Sequence, residues 1–130
     1  MTTPFWCLTI VIFLPFLMSY TAGYFKIKSF GRYDNNNPRI QSSQLEGIGA
    51  RAFAAHKNSW EAVIMFAPVV LMAHLAGANA EQSAMAATGF VIARLVYMLF
   101  YLADLALLRS LVFTAGFACC IWLLYLAATV

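Results

Sequence analysis

Four apolar stretches fill almost the whole chain, and they limit what it can fold into. They cover residues 5–25, 44–76, 83–103 and 109–129. A helix that crosses the hydrocarbon core of a bilayer needs about 20 mostly apolar residues, so each stretch is long enough. Hydrophobic residues make up 63% of the 130 residues, which is more apolar surface than one soluble core of this size can bury. The sequence therefore predicts an all-α, integral membrane four-helix bundle that forms a single domain over residues 1–130.

One polar connection, residues 31–43, separates the first two stretches and contains the helix breakers Asn, Pro and Ser. Ser43 and Glu46 have the spacing of a capping box, which predicts that the second helix begins near Gln44. A helix from there to Ala76 approaches about 50 Å and is longer than the hydrocarbon layer. We therefore expect its polar first half to project from the membrane or to line a protein cavity.

The basic residues are distributed unequally between the two sides of the predicted bundle. Six of the eight lie in the first loop or early in the second helix, and Arg109 lies on the same side at the third connection. Glu81 is the only charged side chain at the opposite side. The positive-inside rule then places the first and third connections in the cytoplasm and both termini on the opposite side of the membrane. We expect this membrane to be a plasma membrane or cell inner membrane. The net charge of +3 includes no basic block, so no nucleic-acid partner is expected.

Polar residues recur at helical spacing inside the second and third apolar stretches. Charged groups at membrane depth cost several kcal/mol unless they are paired or hydrated. Each such group is therefore expected to be paired, to be hydrated or to have a function. The second helix carries one stripe, the third carries another of equal length, and the fourth opens with two further polar residues. In chain order these residues are Arg51, Asn58 and Glu61, then Arg94, Tyr97, Tyr101 and Asp104, then Arg109 and Ser110.

The two stripes have alternative interpretations. Glu61 and Arg94 are at comparable depth and could form an ion pair whose only role is to join the two helices. Lys57 is also four residues before Glu61, which is close enough for it to pair. The complete set is more than helix packing requires, because it offers guanidinium, phenol and amide groups together. It predicts a pocket for a small anionic molecule, open to the cytoplasmic side.

The remaining candidate groups indicate no further chemistry. Cys7, Cys119 and Cys120 lie inside apolar runs without metal-ligand spacing, so we expect buried hydrophobic side chains and no metal. The start of the second helix is rich in glycine and alanine, including Gly49, which would allow another helix to approach closely, including one from a second subunit.

Two motifs resemble the MAPEG family, the membrane-associated proteins in eicosanoid and glutathione metabolism. Residues 55–61, AHKNSWE, resemble the second-helix signature of the family. Arg94, Tyr97 and Tyr101, followed after a short loop by Arg109 and Ser110, resemble its third-helix tyrosines and fourth-helix arginine. The four-helix plan agrees as well, so the resemblance covers essentially the whole chain.

The resemblance implies a homotrimer that binds glutathione between neighbouring subunits near the cytoplasmic face. Asn58 and Glu61 would then hold the peptide part of glutathione, and Arg94, Tyr97 and Tyr101 would complete the cradle. Arg109 would stabilise the thiolate, with Ser110 as a candidate helper. Lys26, Lys28 or Arg32 could reach a carboxylate of glutathione in the adjacent subunit. Ala54 stands where family members have an arginine, and Arg51 or Lys57 are the candidates to replace it.

Three functions follow as hypotheses. The first is a glutathione transferase-like or peroxidase-like enzyme that acts on a lipophilic small-molecule electrophile from the bilayer. The second is a non-catalytic scaffold or accessory subunit of a larger membrane complex, which Ala54 favours. The third is a small transporter or channel, and it is the weakest because the sequence has no inverted repeat or pair of broken helices.

Overall fold

The fold is all-helical, and the computed structural model describes residues 1–130. Four of the helices are long and apolar enough to cross a membrane, which confirms the predicted fold class. A fifth, short helix lies within the first connection and was not predicted. In chain order the helices are α1 (Thr3–Phe30), α2 (Pro38–Ser43), α3 (Gly47–Ala76), α4 (Ala80–Leu102) and α5 (Ala106–Ala128). The α1–α3 and α4–α5 connections lie at one end of the bundle, here called the loop end, and both termini lie at the other.

The start of α3 differs from the capping-box prediction. The helix begins at Gly47 after Glu46, and no side chain caps it. The Ser42 and Ser43 hydroxyls instead donate to backbone carbonyls inside α2, at 2.8 and 2.7 Å. The prediction is wrong because the preceding residues form a helix of their own, in which a serine hydroxyl bonds back along the same turn. The start of α5 also differs, since this helix begins at Ala106 and Arg109 lies in its first turn.

Hydrogen bonds order the connection between α1 and α2. The carboxylate of Asp34 accepts from the backbone N–H groups of Asn36 and Asn37 at 3.0 and 3.1 Å. Gln41 of α2 accepts from the Asp34 N–H at 3.0 Å and donates to the Arg32 carbonyl at 2.8 Å. These bonds satisfy backbone groups that would otherwise be free, and they set the course of the chain into α2.

Lys26, near the end of α1, also holds this connection. Its side chain is buried, donates to the Pro38 carbonyl at 2.8 Å and lies 4.7 Å from the centre of the Tyr33 ring. The carbonyl and the aromatic face compensate for the removal of the ammonium group from water. Lys26 therefore ties the start of α2 to α1.

A tightly packed apolar layer crosses the middle of the bundle. The rings of Phe66 in α3 and Phe90 in α4 stack with their centres 4.1 Å apart. Val11 of α1, Val70 of α3 and Leu123 of α5 pack into the same cluster, and each is at most 1% exposed. Cys7 and Cys120 also belong to this cluster, as predicted for buried hydrophobic residues, and Cys119 packs against it half-buried.

Small residues bring α3 close to α1 within the same chain. A methyl group added at Gly49 would come within 3.0 Å of Phe25 of α1, and Ala52 and Ala55 are completely buried. One turn further on, His56 Nδ1–H donates to the Pro15 carbonyl of α1 at 2.8 Å. The side of this small-residue stretch that faces α1 therefore serves packing inside the chain.

The contact between His56 and Pro15 makes a testable contribution to stability. His56→Leu removes the donor, and we expect it to lower the free energy of unfolding in detergent by about 1 kcal/mol, the usual net value of such a bond. His56→Asn keeps an N–H at nearly the same place and should lose less than half as much. Equal losses in the two variants, measured by denaturant unfolding, would show that the hydrogen bond contributes nothing.

Acid should loosen the α1–α2 connection. Hydrogen bonds from Asn37, and less strongly from Asn36, hold the pKa of the Asp34 carboxyl below its ordinary value. A lowered folded-state pKa means that the stabilisation is present above the ordinary carboxyl value of about 4 and is lost as the pH falls through the folded value. We expect protection of the Asn36 and Asn37 amides from hydrogen exchange to fall in that range. Asp34→Asn should show no such transition. If amide protection in the unsubstituted protein does not change with pH, the Asp34 carboxylate does not hold this connection.

Candidate functional site

A buried guanidinium lies at the centre of the polar region between α3, α4 and α5. Arg94 of α4 is 3% exposed, and its Nη2 donates to Asn58 Oδ1 of α3 at 2.7 Å. Asn58 Nδ2 in turn donates to Glu61 Oε2 at 2.8 Å. The predicted ion pair between Glu61 and Arg94 is therefore not direct, because the Asn58 amide stands between the two charges. Its oxygen suits a group that only donates, and its nitrogen suits a group that only accepts.

Aromatic rings continue this arrangement along α4 to α5. The Arg94 guanidinium lies 4.2 Å from the centre of the Tyr97 ring, which meets the Tyr101 ring edge-on at 5.6 Å. The Arg109 guanidinium of α5 lies 4.3 Å from the centre of the Tyr101 ring. Both cations thus rest on the electron-rich faces of tyrosine rings.

Six of the eight predicted site residues form one continuous row, here called the polar row. It runs from Glu61 on the surface of α3, through the buried Arg94 and Tyr97, to the half-buried Arg109 near the loop end. Arg94 Nε is buried without a hydrogen-bond partner, so the row retains an unused donor. Its members are Glu61, Asn58, Arg94, Tyr97, Tyr101 and Arg109. Such a row can bind an anionic, peptide-like molecule and stabilise negative charge at Arg109.

The other two predicted site residues lie outside the polar row. Arg51 faces α4 as Asn58 does, but its Nε donates to the Leu102 carbonyl at 3.2 Å and its Nη1 lies 3.7 Å from Asp104 Oδ2. Ser110 is exposed, and its hydroxyl donates to the Ala106 carbonyl one turn earlier at 3.0 Å. Both side chains are therefore engaged with backbone near the α4–α5 connection.

A second polar region lies on the opposite face of α3. A cavity of about 440 Å³ opens between α1, α2 and α3, lined by basic and aromatic side chains that include Lys26, His56, Lys57 and Trp60. Lys57 Nζ lies 4.9 Å from the centre of the Phe53 ring, so the predicted pairing of Lys57 with Glu61 is absent.

Sequence reasoning missed this cavity, although a signal for it exists. His56 and Asn58 are two residues apart, which turns them about 200° from one another around the helix axis. They therefore face different neighbours. The contribution of Arg39 and Tyr33 to the same cavity had no signal, because it depends on the course of the α1–α2 connection.

No group of three or more His, Cys, Asp or Glu side chains is placed to hold a metal ion. The chemistry of the polar row is that of guanidinium, amide, carboxylate and phenol groups, which favours an organic anion as its ligand.

Of three comparisons with known proteins, one gave a match. A search of the curated proteins gave no match, and neither did a search of the solved structures. A family model, that of the MAPEG family, matches residues 3–129. The match covers all four long helices and every residue of the polar row, and the chain therefore belongs to the MAPEG family.

Proposed function

We propose that this protein is a membrane glutathione transferase or glutathione-dependent peroxidase. The observation that supports the proposal most directly is the polar row, which joins Glu61 of α3 to Arg109 of α5 through a buried guanidinium. Membership of a family of glutathione and eicosanoid metabolism supports glutathione as the ligand. The substrate would be a lipophilic electrophile that enters from the bilayer.

The side chains of the polar row can be assigned to the separate chemical groups of glutathione. Asn58 and Glu61 present an amide and an exposed carboxylate to the peptide part of the molecule, including its ammonium group. Arg94, Tyr97 and Tyr101 form the floor of the cradle, where the guanidinium attracts a carboxylate. We leave Arg51 and Ser110 out of direct binding, because each is engaged with backbone near the α4–α5 connection.

Arg109 is the residue proposed to face the sulfur. A thiol has a pKa of about 8.5, so little thiolate forms at neutral pH without help. A guanidinium in a half-buried, apolar setting stabilises the thiolate and increases the nucleophilic fraction. The thiolate sulfur then forms a bond to the electrophilic carbon, and the leaving group departs with the bonding electron pair.

The family resemblance is the ground for proposing a homotrimer, and the two faces of α3 suit a ring of subunits. The polar row faces α4 and α5, whereas His56 and Lys57 face the cavity beside α1. In a closed ring, the row of one subunit would lie against the basic cavity of the next, near the cytoplasmic surface. Lys26 is held by Pro38, so of the three bases predicted to reach a glutathione carboxylate Lys28 and Arg32 remain.

One observation favours a second function. Ala54, which is half-buried in α3, brings no guanidinium to the position where the family has an arginine. A protein with a weakened glutathione site would serve as a non-catalytic scaffold or as an accessory subunit of a larger membrane complex.

Thiolate formation separates these two functions. In detergent, saturation with glutathione should produce thiolate ultraviolet absorbance at neutral pH, and a chlorodinitrobenzene-type electrophile should be conjugated. Arg109→Ala should reduce kcat about a hundredfold, since one preorganised charged donor contributes that much, and should return the thiolate absorbance to that of free glutathione at the same pH, whereas Arg109→Lys should keep part of both. If the unsubstituted protein shows neither thiolate absorbance nor turnover at millimolar glutathione, the result would support the non-catalytic scaffold function.

The Asn58 amide gives a second test, with a matched control. Asn58→Asp keeps the size of the side chain but removes the donor to Glu61 and places two carboxylates together. We expect glutathione affinity to fall about tenfold or more, as for loss of a hydrogen bond to a charged group. Asn79→Asp makes the same change at the cap of α4, where Asp is equally suitable, and should leave affinity unchanged. Equal glutathione titrations for the two variants would remove Asn58 from the site.

A further inference from the structure

The α4–α5 connection is a tight turn with one conformationally costly residue. The Leu105 N–H donates to the Phe100 carbonyl at 2.9 Å and the Asp104 N–H to the Tyr101 carbonyl at 3.2 Å, which is the Schellman pattern of helix termination. This pattern requires a residue in the left-handed region, and Asp104 occupies it with φ of 61°. Asp104 is the only residue besides glycine with a positive φ in the chain.

The same pattern ends α3, but there the left-handed residue is a glycine. There the Ala78 N–H donates to the Ala73 carbonyl and the Gly77 N–H to the His74 carbonyl. Gly77 has φ of 77° and meets no steric penalty. Asp104 carries a side chain in the equivalent place, where a residue other than glycine is less stable.

Arg51 supplies what the α4 terminus lacks. Its Nε–H donates at 3.2 Å to the carbonyl of Leu102, the last residue of α4, which the two turn hydrogen bonds leave free. Its Nη1 lies 3.7 Å from the Asp104 carboxylate, in the only ion pair of the chain. One guanidinium thus satisfies the terminal carbonyl and attracts the side chain of the left-handed residue.

The turn sets the position of Arg109. The Arg109 N–H donates to the Leu105 carbonyl at 2.9 Å, so Arg109 belongs to the first turn of α5, directly after the connection. Its guanidinium must then reach the Tyr101 ring, which lies in the last turn of α4 on the other side of the same connection. A shift of the turn would separate the two.

We propose that Arg51 is a positioning residue for thiolate stabilisation, which acts through Asp104 and the α4–α5 turn on Arg109 and does not contact glutathione. The inference rests on the proposed function, because it concerns the same Arg109 guanidinium. It also gives Arg51 a role different from the ligand contact that its stripe on α3 first indicates.

The test compares Arg51→Gln with the double variant Arg51→Gln/Asp104→Gly, using the complete protein in detergent. In Arg51→Gln we expect the pH midpoint of glutathione thiolate formation to rise by about one unit, which lowers the thiolate fraction about tenfold at a pH below that midpoint. kcat should fall accordingly while KM for glutathione changes less than twofold. Amide hydrogen exchange at Leu105 and Arg109 should rise in the same variant.

Glycine at position 104 adopts the left-handed conformation without a partner, as Gly77 does. The double variant should therefore recover most of the thiolate signal and of the amide protection. A raised KM with an unchanged pH midpoint and no recovery would mean direct ligand contact and would overturn the inference, as would an Arg51→Gln protein that behaves like the original. Original protein that forms no thiolate at all would reject the proposed function, and the inference with it.

Discussion

The burial of the Arg94 guanidinium is the constraint on which the rest of the site depends. A cation at this depth is stable only where the surrounding groups replace its hydration. Asn58 supplies an amide oxygen at 2.7 Å, and Tyr97 supplies an aromatic face at 4.2 Å. Asn58 can hold that orientation because Glu61 accepts from its nitrogen. The positions of residues on α3 and α4 are therefore coupled by the requirement to keep one charge satisfied.

The sequence predicted which residues share a helix face, because periodicity depends only on helix geometry. Given the packing of α3, α4 and α5, that is enough to bring Asn58, Arg94, Tyr97, Tyr101 and Arg109 into one region. It is not enough to choose between a direct pairing of Glu61 with Arg94 and a bridge through Asn58. That choice depends on side-chain conformations and on the spacing of the helices, which must be known to within about the length of one hydrogen bond.

Two side chains predicted from their spacing have a local backbone partner in the structure. Ser43 and Glu46 have the spacing of a cap, but Pro38 starts a separate short helix that uses the serine hydroxyls. Arg51 has the spacing of a site residue, but the end of α4 offers it a free carbonyl and a carboxylate. In each case a backbone group close in space provided a partner that helical spacing alone does not reveal.

The stacked rings of Phe66 and Phe90 have a consequence for the membrane itself. A bundle that contains arginine, glutamate and tyrosine inside a bilayer would let protons cross if water could follow these groups from one surface to the other. The aromatic pair, with Val11, Val70 and Leu123 around it, fills the middle of the bundle with side chains at most 1% exposed. Water does not enter such an apolar layer, so it interrupts any chain of hydrogen bonds along which protons could leak. The bundle can thus hold charged groups in one half of its length and still act as an electrical insulator.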